Sequence, residues 1–479
     1  MQAIQRKGSV NMIEGPLLLK IIRFMLPLMA TNLLQVLYNA ADMMVVELSG
    51  VENAVGAVGT TGSFVTLITN VFIGFSVGSN VLVARSLGAG DEKAASRAVH
   101  TAICMSLIFG TVGGALGIAV SRPVLLAMGT PDSLLTLATT YTYIYFAGIP
   151  FISLANYLIS IFRAKGDTRT PLLVLMLSGL LNVMLNLFFV LVCGLSVEGV
   201  ALATVIANGV SAAALVLILM RDVGPCRFSF RRLRIHRGAF REIIAIGLPA
   251  GVQGALFSIS NMLIQSSILQ INDATVAGLD PSIRRRYEPV VKGNAATLSL
   301  ENFAFTAVNA VHQAAVTFTG QNAGAKRYDR VKRVMGACYL VECCVAVLIT
   351  VILVLLRDPL LGLYGVRAVA EDPVAMIAYN TAKTRIYVKW APFILYALLD
   401  VSNAVLRGLG KSMTSTTVSL VGTCFFRVVW IYTVFRVFFN LESLYISYPI
   451  SWGLSAVAAF LCVVVILRRR IRAQRAKTV

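Results

Sequence analysis

Acidic residues are scarce in this sequence: 22 Asp and Glu stand against 42 Lys and Arg, and the four types together make up only 13% of 479 residues. A soluble domain carries about 25% charged residues, so the deficit excludes an ordinary soluble protein. The chain has eight cysteines but no Cys-x-x-Cys pair and no His-rich tract, which argues against a metal centre. Cys104, Cys193, Cys343, Cys344, Cys424 and Cys462 fall in apolar stretches and read as packing residues. No H-E-x-x-H zinc motif, G-x-S-x-G elbow or P-loop is expected in a chain of this class, so neither a membrane-embedded enzyme nor an ATP site is indicated. The first sixteen residues hold basic side chains but no short apolar core with a cleavage site, so the first apolar run reads as a retained span.

What is present is apolar: hydrophobic residues make up 57% of the chain, with a mean hydropathy of +0.79. A spanning helix needs roughly 20 apolar residues, and about twelve such runs follow one another. In the first half they cover 20–47, 53–84, 95–121, 135–162, 170–193 and 198–221. In the second half they cover 240–271, 295–320, 331–356, 384–407, 414–438 and 444–468. The expected fold is all-α, a membrane protein of twelve transmembrane helices in two pseudosymmetric six-helix lobes. The N-lobe would be 1–221, the linker 222–239, and the C-lobe 240–479 with a basic tail.

The net charge of +20 would suggest nucleic acid in a soluble protein. Here the charges sit in short loops, where they act as topology signals, and no nucleic-acid partner is expected. About 30 of the 42 basic residues fall on alternate loops, which places both termini and the linker in the cytoplasm and the chain in the cell's inner membrane. One loop dissents: 272–294 carries Arg284, Arg285, Arg286 and Lys292, mixed with Asp273, Asp280 and Glu288.

Three landmarks recur in one order. Pro249 in GLPAGVQ follows Pro27 in MLPLMAT by 222 residues. Gly324-Ala325 follows Gly88-Ala89 by 236, and Arg407–Gly410 follows Arg163–Gly166 by 244. Offsets that grow at loops point to duplication. With six spans per half the repeats are parallel, and sites in such proteins lie between the halves.

A charged residue inside a span is costly and marks a functional candidate. Asp42 lies deep in the first span. Thr31, Gln35, Tyr38, Asn39 and Asp42, three or four residues apart, share one helix face. The stripe reads either as a helix–helix hydrogen-bond seam or as a cation or proton site lining a cavity. Asn182 and Asn186 sit one turn apart in the fifth span and Thr204 in the sixth; with Asp42 they form a set of hard oxygen donors. In the second half Glu301, Asp400 and Arg427 are expected to neutralise one another in part, as an ion-pair cluster or as a protonation or substrate site. Gln253, Asn261, Asn309 and Gln313 add polarity, and His312 reads as a packed residue. Pro27 either bends the first span or marks its entry.

Seven stretches together resemble the MATE family, the multidrug and toxic compound extrusion transporters. They are LYNAADMMVV, SLGAGDEKAASRAV, FRAKGDTRTP and LNVMLNLFFV in the first half, and GLPAGVQ, TFTGQNAGAKRYDRVKR and LRGLGKS in the second. The resemblance implies a twelve-span, two-lobe antiporter that exports cationic or amphiphilic compounds in exchange for entering Na⁺ or H⁺, with no cofactor and no enzymatic activity. It assigns cation or proton coupling to Asp42, Asn182, Asn186 and Thr204, a set that would also hold Na⁺. Gln35, Tyr38, Asn39, Gln253, Asn261, Glu301, Asp400 and Arg427 become candidates for the cavity and substrate. Two departures stand out: Asn186 replaces an aspartate found in some members, and 250–268 lacks the seventh-span acid of others. The expected partners are small-molecule substrates and the bilayer, with the chain a monomer. The alternative is a flippase for lipids or lipid-linked precursors with similar two-lobe architecture.

Overall fold

The computed structural model describes residues 10–51, 54–277 and 288–476. Arg284, Arg285 and Arg286 of the expected outer loop lie outside these. Among the described residues there is no strand. The first half forms α1 (Leu17–Leu48), α2 (Ala54–Gly88), α3 (Glu92–Ala127), α4 (Asp132–Ala147), α5 (Ile149–Ala164), α6 (Arg169–Leu187) and α7 (Val197–Met220). The second half opens with α8 (Arg237–Val276), α9 (Pro289–Gly324), α10 (Tyr328–Leu355) and α11 (Arg357–Gly362). It continues with α12 (Pro373–Arg385), α13 (Ile394–Gly408), α14 (Ser412–Ser419), α15 (Phe426–Tyr432), α16 (Val434–Val437) and α17 (Leu441–Arg475). Nine of the described rods are long and apolar enough to cross a membrane. The α4/α5 pair makes a tenth when its two bent halves count as one span, and α9 and the α12–α13 rod occupy the other two expected runs, 295–320 and 384–407.

Two expected spans differ in form. The run 135–162 is a pair of helices that meet at 49°. Gly148 and Pro150 stand at the break, and proline lacks the N–H that would continue the ladder. The tenth span begins at Pro373, about three turns before 384. Asp372 caps it by accepting from the N–H groups of Val374 and Ala375. Its charges made the segment look like loop, yet the helix continues through a π-helical turn at Ile386–Trp390.

The chain divides into two compact units. The first runs from the N-terminal side through Ala255 and includes Val316–Val331 and Arg407–Met413; the second holds Leu256–Ala315, Lys332–Leu406 and the rest from Thr414. Within the first unit, glycines permit the close backbone approach that drives association in lipid. A Cβ on Gly88 would overlap the carbonyl of Gln321, and one on Gly324 would overlap the carbonyl of Arg85. The two pairs map onto each other by a 236-residue offset, Gly88 to Gly324 and Arg85 to Gln321, so this crossing is reciprocal, as a two-fold axis requires. Gly90 and Lys326, again 236 apart, both turn with positive φ, at 71° and 56°. The duplication is therefore visible in backbone geometry as well as in sequence. Gly88→Val should prevent this crossing, at a cost of about 3 kcal/mol or more. Loss of a monodisperse peak in size-exclusion chromatography is the expected result; a normal peak would show that the two carbonyls can move aside.

In the second unit, Phe305, Trp390, Phe393, Tyr396 and Trp452 form a chain of ring contacts with centroids 4.3 to 6.0 Å apart. These rings surround buried charges described below.

Candidate functional site

Four of the sequence candidates meet in the first unit. Asp42 comes from the C-terminal third of α1, Asn182 and Asn186 from consecutive turns of α6, and Thr204 from α7. Asn186 Nδ2 donates to Asp42 Oδ1 at 2.5 Å, and Thr204 Oγ1 donates to Asp42 Oδ2 at 3.4 Å. Asn186 Nδ2 also reaches Asn182 Oδ1 at 3.3 Å, while Asn182 Nδ2 reaches Thr204 Oγ1 at 3.4 Å. The four side chains close a ring of hydrogen bonds that joins three helices. Asn186 is 0% exposed, yet its Oδ1 has no hydrogen-bond partner among the described residues. A buried orphan acceptor beside a carboxylate fits a cation or a water. The donor set is all oxygen, the type that suits Na⁺ or a proton rather than a soft metal.

The remainder of the α1 stripe divides by environment. Thr31 is buried and donates to the Pro27 carbonyl at 2.8 Å. Tyr38 Oη donates to the Met176 carbonyl at 3.3 Å, with its ring against Gly179 of α6. Gln35 and Asn39 are exposed, on the same face as Asp42. Tyr141 and Tyr145 of α4, stacked at 6.1 Å, lie close enough to Asp42 to feel its charge. They were not singled out from sequence; the i, i+4 tyrosines of TYTYIYF were the available signal.

The second-half charges do not pair as expected. Glu301 binds Arg385 through two bonds, Nε–Oε1 at 2.7 Å and Nη2–Oε2 at 2.8 Å. It also accepts from Lys389 Nζ at 2.6 Å and Trp390 Nε1 at 2.9 Å. Arg427 instead donates to Ser451 Oγ at 3.1 Å and lies 4.1 Å from the centre of the Tyr448 ring. Asp400 lies 3.0 Å from His312 Nδ1 and close to Glu342. The expected Glu301–Asp400–Arg427 neutralisation is thus replaced by two separate clusters and a cation–π contact. The reason is reach: Arg385 and Lys389, four residues apart on one face, meet Glu301 first. Arg385, Lys389 and Glu342 were missed from sequence. The first two lay at the margin of the span as drawn, while Glu342 was an intraspan acid that the same cost rule should have flagged.

Gln253 is buried in the first unit and accepts from Arg407 Nη2 at 2.9 Å, so here it holds an arginine rather than lining open space. Asn261 and Asn309 are exposed. Contrary to the expectation that no G-x-S-x-G string is present, Gly74-Phe75-Ser76-Val77-Gly78 carries the letters of a hydrolase nucleophile elbow. It lies inside α2, not on a strand-to-helix turn. Ser76 bonds back to the Ile73 carbonyl, and both glycines abut the α8 backbone. It is a packing motif.

Known proteins resemble the chain along most of its length. The family model described as MatE matches residues 27–188 and 289–433. The probable multidrug resistance protein YoeA of Bacillus subtilis (strain 168) is 23% identical over 406 residues, 83% of this chain and 82% of that protein. YpnP of the same strain, also a probable multidrug resistance protein, is 24% identical over 94% of this chain and 95% of its own length. A crystal structure of a MATE in complex with MaL6 superposes with a TM-score of 0.85 at 21% identity, covering 98% of this chain and 100% of that one. These likenesses place the twelve helices in a two-lobe transporter architecture, and no enzymatic role accompanies it. The chain therefore belongs to the MatE family, the multidrug and toxic compound extrusion transporters of the membrane.

Proposed function

We propose that this chain is a secondary antiporter that couples the entry of H⁺ or Na⁺ at Asp42 to the export of cationic or amphiphilic compounds. The observation that carries the reading is the Asp42 ring: a carboxylate held by Asn186 and Thr204, with the orphan Asn186 oxygen beside it. An entering cation adds positive charge at a group that otherwise attracts a cationic substrate. Loading therefore weakens substrate binding at Asp42 and favours release. Coupling requires that ion and substrate prefer different states of the protein, and rocking between inward-open and outward-open lobes provides two such states.

Within this proposal 1–221 and 240–479 are the lobes and 222–239 the cytoplasmic linker. Both termini lie in the cytoplasm, the chain sits in the inner membrane as a monomer, and Gln35 and Asn39 face the substrate path. Glu301, Arg385 and Lys389 are assigned to holding the second half together, and Asp400 to a protonatable position. Ethidium efflux from proteoliposomes, driven separately by a Na⁺ gradient and a pH gradient, tests the proposal. Export should follow one of the two gradients, and equal rates with neither imposed would remove the coupling claim.

A further inference from the structure

The segment joining α7 to α8 is pinned along the first turns of α3. Cys226 and Phe228 are buried, and Phe228 packs on the ring of His100 with centroids 5.6 Å apart. Ser229 N–H donates to His100 Nε2 at 3.2 Å, and His236 N–H donates to Thr101 Oγ1 at 3.1 Å. Beside these pins lies a cavity of about 760 Å³. Lys93 and Arg97 enter it from α3, and Arg231, Arg232 and Arg234 from the segment; Glu92 is the one acid in its lining. Arg227, also in the lining, is tied to the Met220 carbonyl at 3.2 Å.

None of those five cations has a hydrogen-bond or ion-pair partner among the described residues. Several basic residues elsewhere in the first unit are matched. Arg85 meets Glu242 at 2.5 Å, Lys165 meets Asp222, and Arg327 and Arg330 donate to the carbonyls of Ile13 and Gly15. The bias of basic residues toward one side of a membrane accounts for their number. It does not account for five unmatched cations converging on one concavity with a fixed backbone. Such an arrangement repels itself until an anion enters. The amide end of α3 is not what carries this, because Asp91 already accepts from the Ala94 N–H at 2.8 Å.

The neighbouring side chains specify the anion. In Phe230-Arg231-Arg232-Leu233-Arg234-Ile235, arginines alternate with apolar residues that are 64%, 36% and 41% exposed. The cavity lies where the apolar rods α3, α7 and α8 end. Exposed apolar side chains at that depth sit at the acyl boundary, with cations at headgroup level. A free phosphate would leave the apolar residues without a role. We propose that the cavity binds the phosphate of an anionic phospholipid headgroup in the leaflet beside the 222–239 segment.

The test uses the full-length protein in phosphatidylcholine nanodiscs, with short-chain phosphatidylglycerol as the probe. Wild type should bind phosphatidylglycerol in preference to short-chain phosphatidylcholine. The variant Arg97→Gln/Arg231→Gln/Arg234→Gln should lose on the order of a hundredfold in affinity. A control, Arg468→Gln/Arg469→Gln/Arg472→Gln on α17, removes equal charge elsewhere and should bind as wild type does. If the cavity variant melts early, Arg231→Gln alone is used, with an expected loss of about fivefold. Unchanged binding by the cavity variant, or equal loss in the α17 control, would overturn the site. Displacement of the lipid by inorganic phosphate at equal concentration would overturn the lipid assignment in favour of a free anion.

Discussion

Asp42→Asn should reduce gradient-driven efflux by roughly 5- to 150-fold, the range of ordinary coupling free energies, without loss of fold. Asparagine has the shape of aspartate, so α1 can still pack against α6 and α7, and Thr204 still finds an acceptor. What disappears is the negative charge and the group that takes up a proton or cation. The measurement is the initial rate of ethidium export from proteoliposomes at matched protein content, with the imposed gradient that drives wild type. Substrate exchange without a gradient should persist but need more substrate, because the variant lacks both the coupling step and the attraction of the Asp42 charge for a cation. Thr204→Val should be milder: it removes two long hydrogen bonds of the ring, to Asp42 Oδ2 and from Asn182 Nδ2, each 3.4 Å, and costs on the order of a fewfold. If Asp42→Asn keeps the full gradient-driven rate, the hydrogen-bonded ring is a structural seam joining three helices, and coupling belongs elsewhere.

Glu301→Gln is expected to be the most destabilising single change in the second unit. Glu301, Arg385 and Lys389 are all at least 97% buried by side-chain area, and the carboxylate receives four donors. Removing its charge leaves two cations in an apolar, aromatic surround. Breaking a buried pair costs about 3–5 kcal/mol, because the uncompensated charge costs more than the contact was worth. The readout is a lower thermal-unfolding midpoint in detergent, accompanied by aggregation. A compensated variant, Glu301→Leu with Arg385→Met and Lys389→Met, separates the two explanations. It should recover most of the lost stability if the cluster is structural. If it recovers stability but not transport, the charges also act on substrate or ion. A Glu301→Gln protein with a wild-type midpoint would show that water reaches this cluster.

The sequence was informative in proportion to how local the signal was. Nine of the twelve apolar runs became described rods long and apolar enough to span, because a helix in lipid satisfies its own backbone within the run. Asp42, Asn182, Asn186 and Thr204 were legible for a similar reason. Polar residues in apolar runs are rare, and the i, i+4 spacing of the two asparagines already fixed them on one face of α6. The repeat was legible through Gly88 and Gly324, whose small size the helix crossing needs. The bend at Gly148 was marked by Pro150, but its 49° angle depends on what α4 and α5 pack against.

What the sequence determined by itself was the membrane class, the helical rods, the duplication and the membership of the Asp42 ring. Each follows from composition or from spacing along one helix. Only the tertiary structure decided which charge meets which. Glu301 is 84 residues from Arg385 and 88 from Lys389, while Arg427 turned to Tyr448 and Ser451. It also decided that Lys93, Arg97 and three arginines of the 222–239 segment share one cavity. Pairing among buried charges is set by distance and direction between helices. Those quantities come from the packing of all the rods together and have no counterpart in the spacing of residues along the chain.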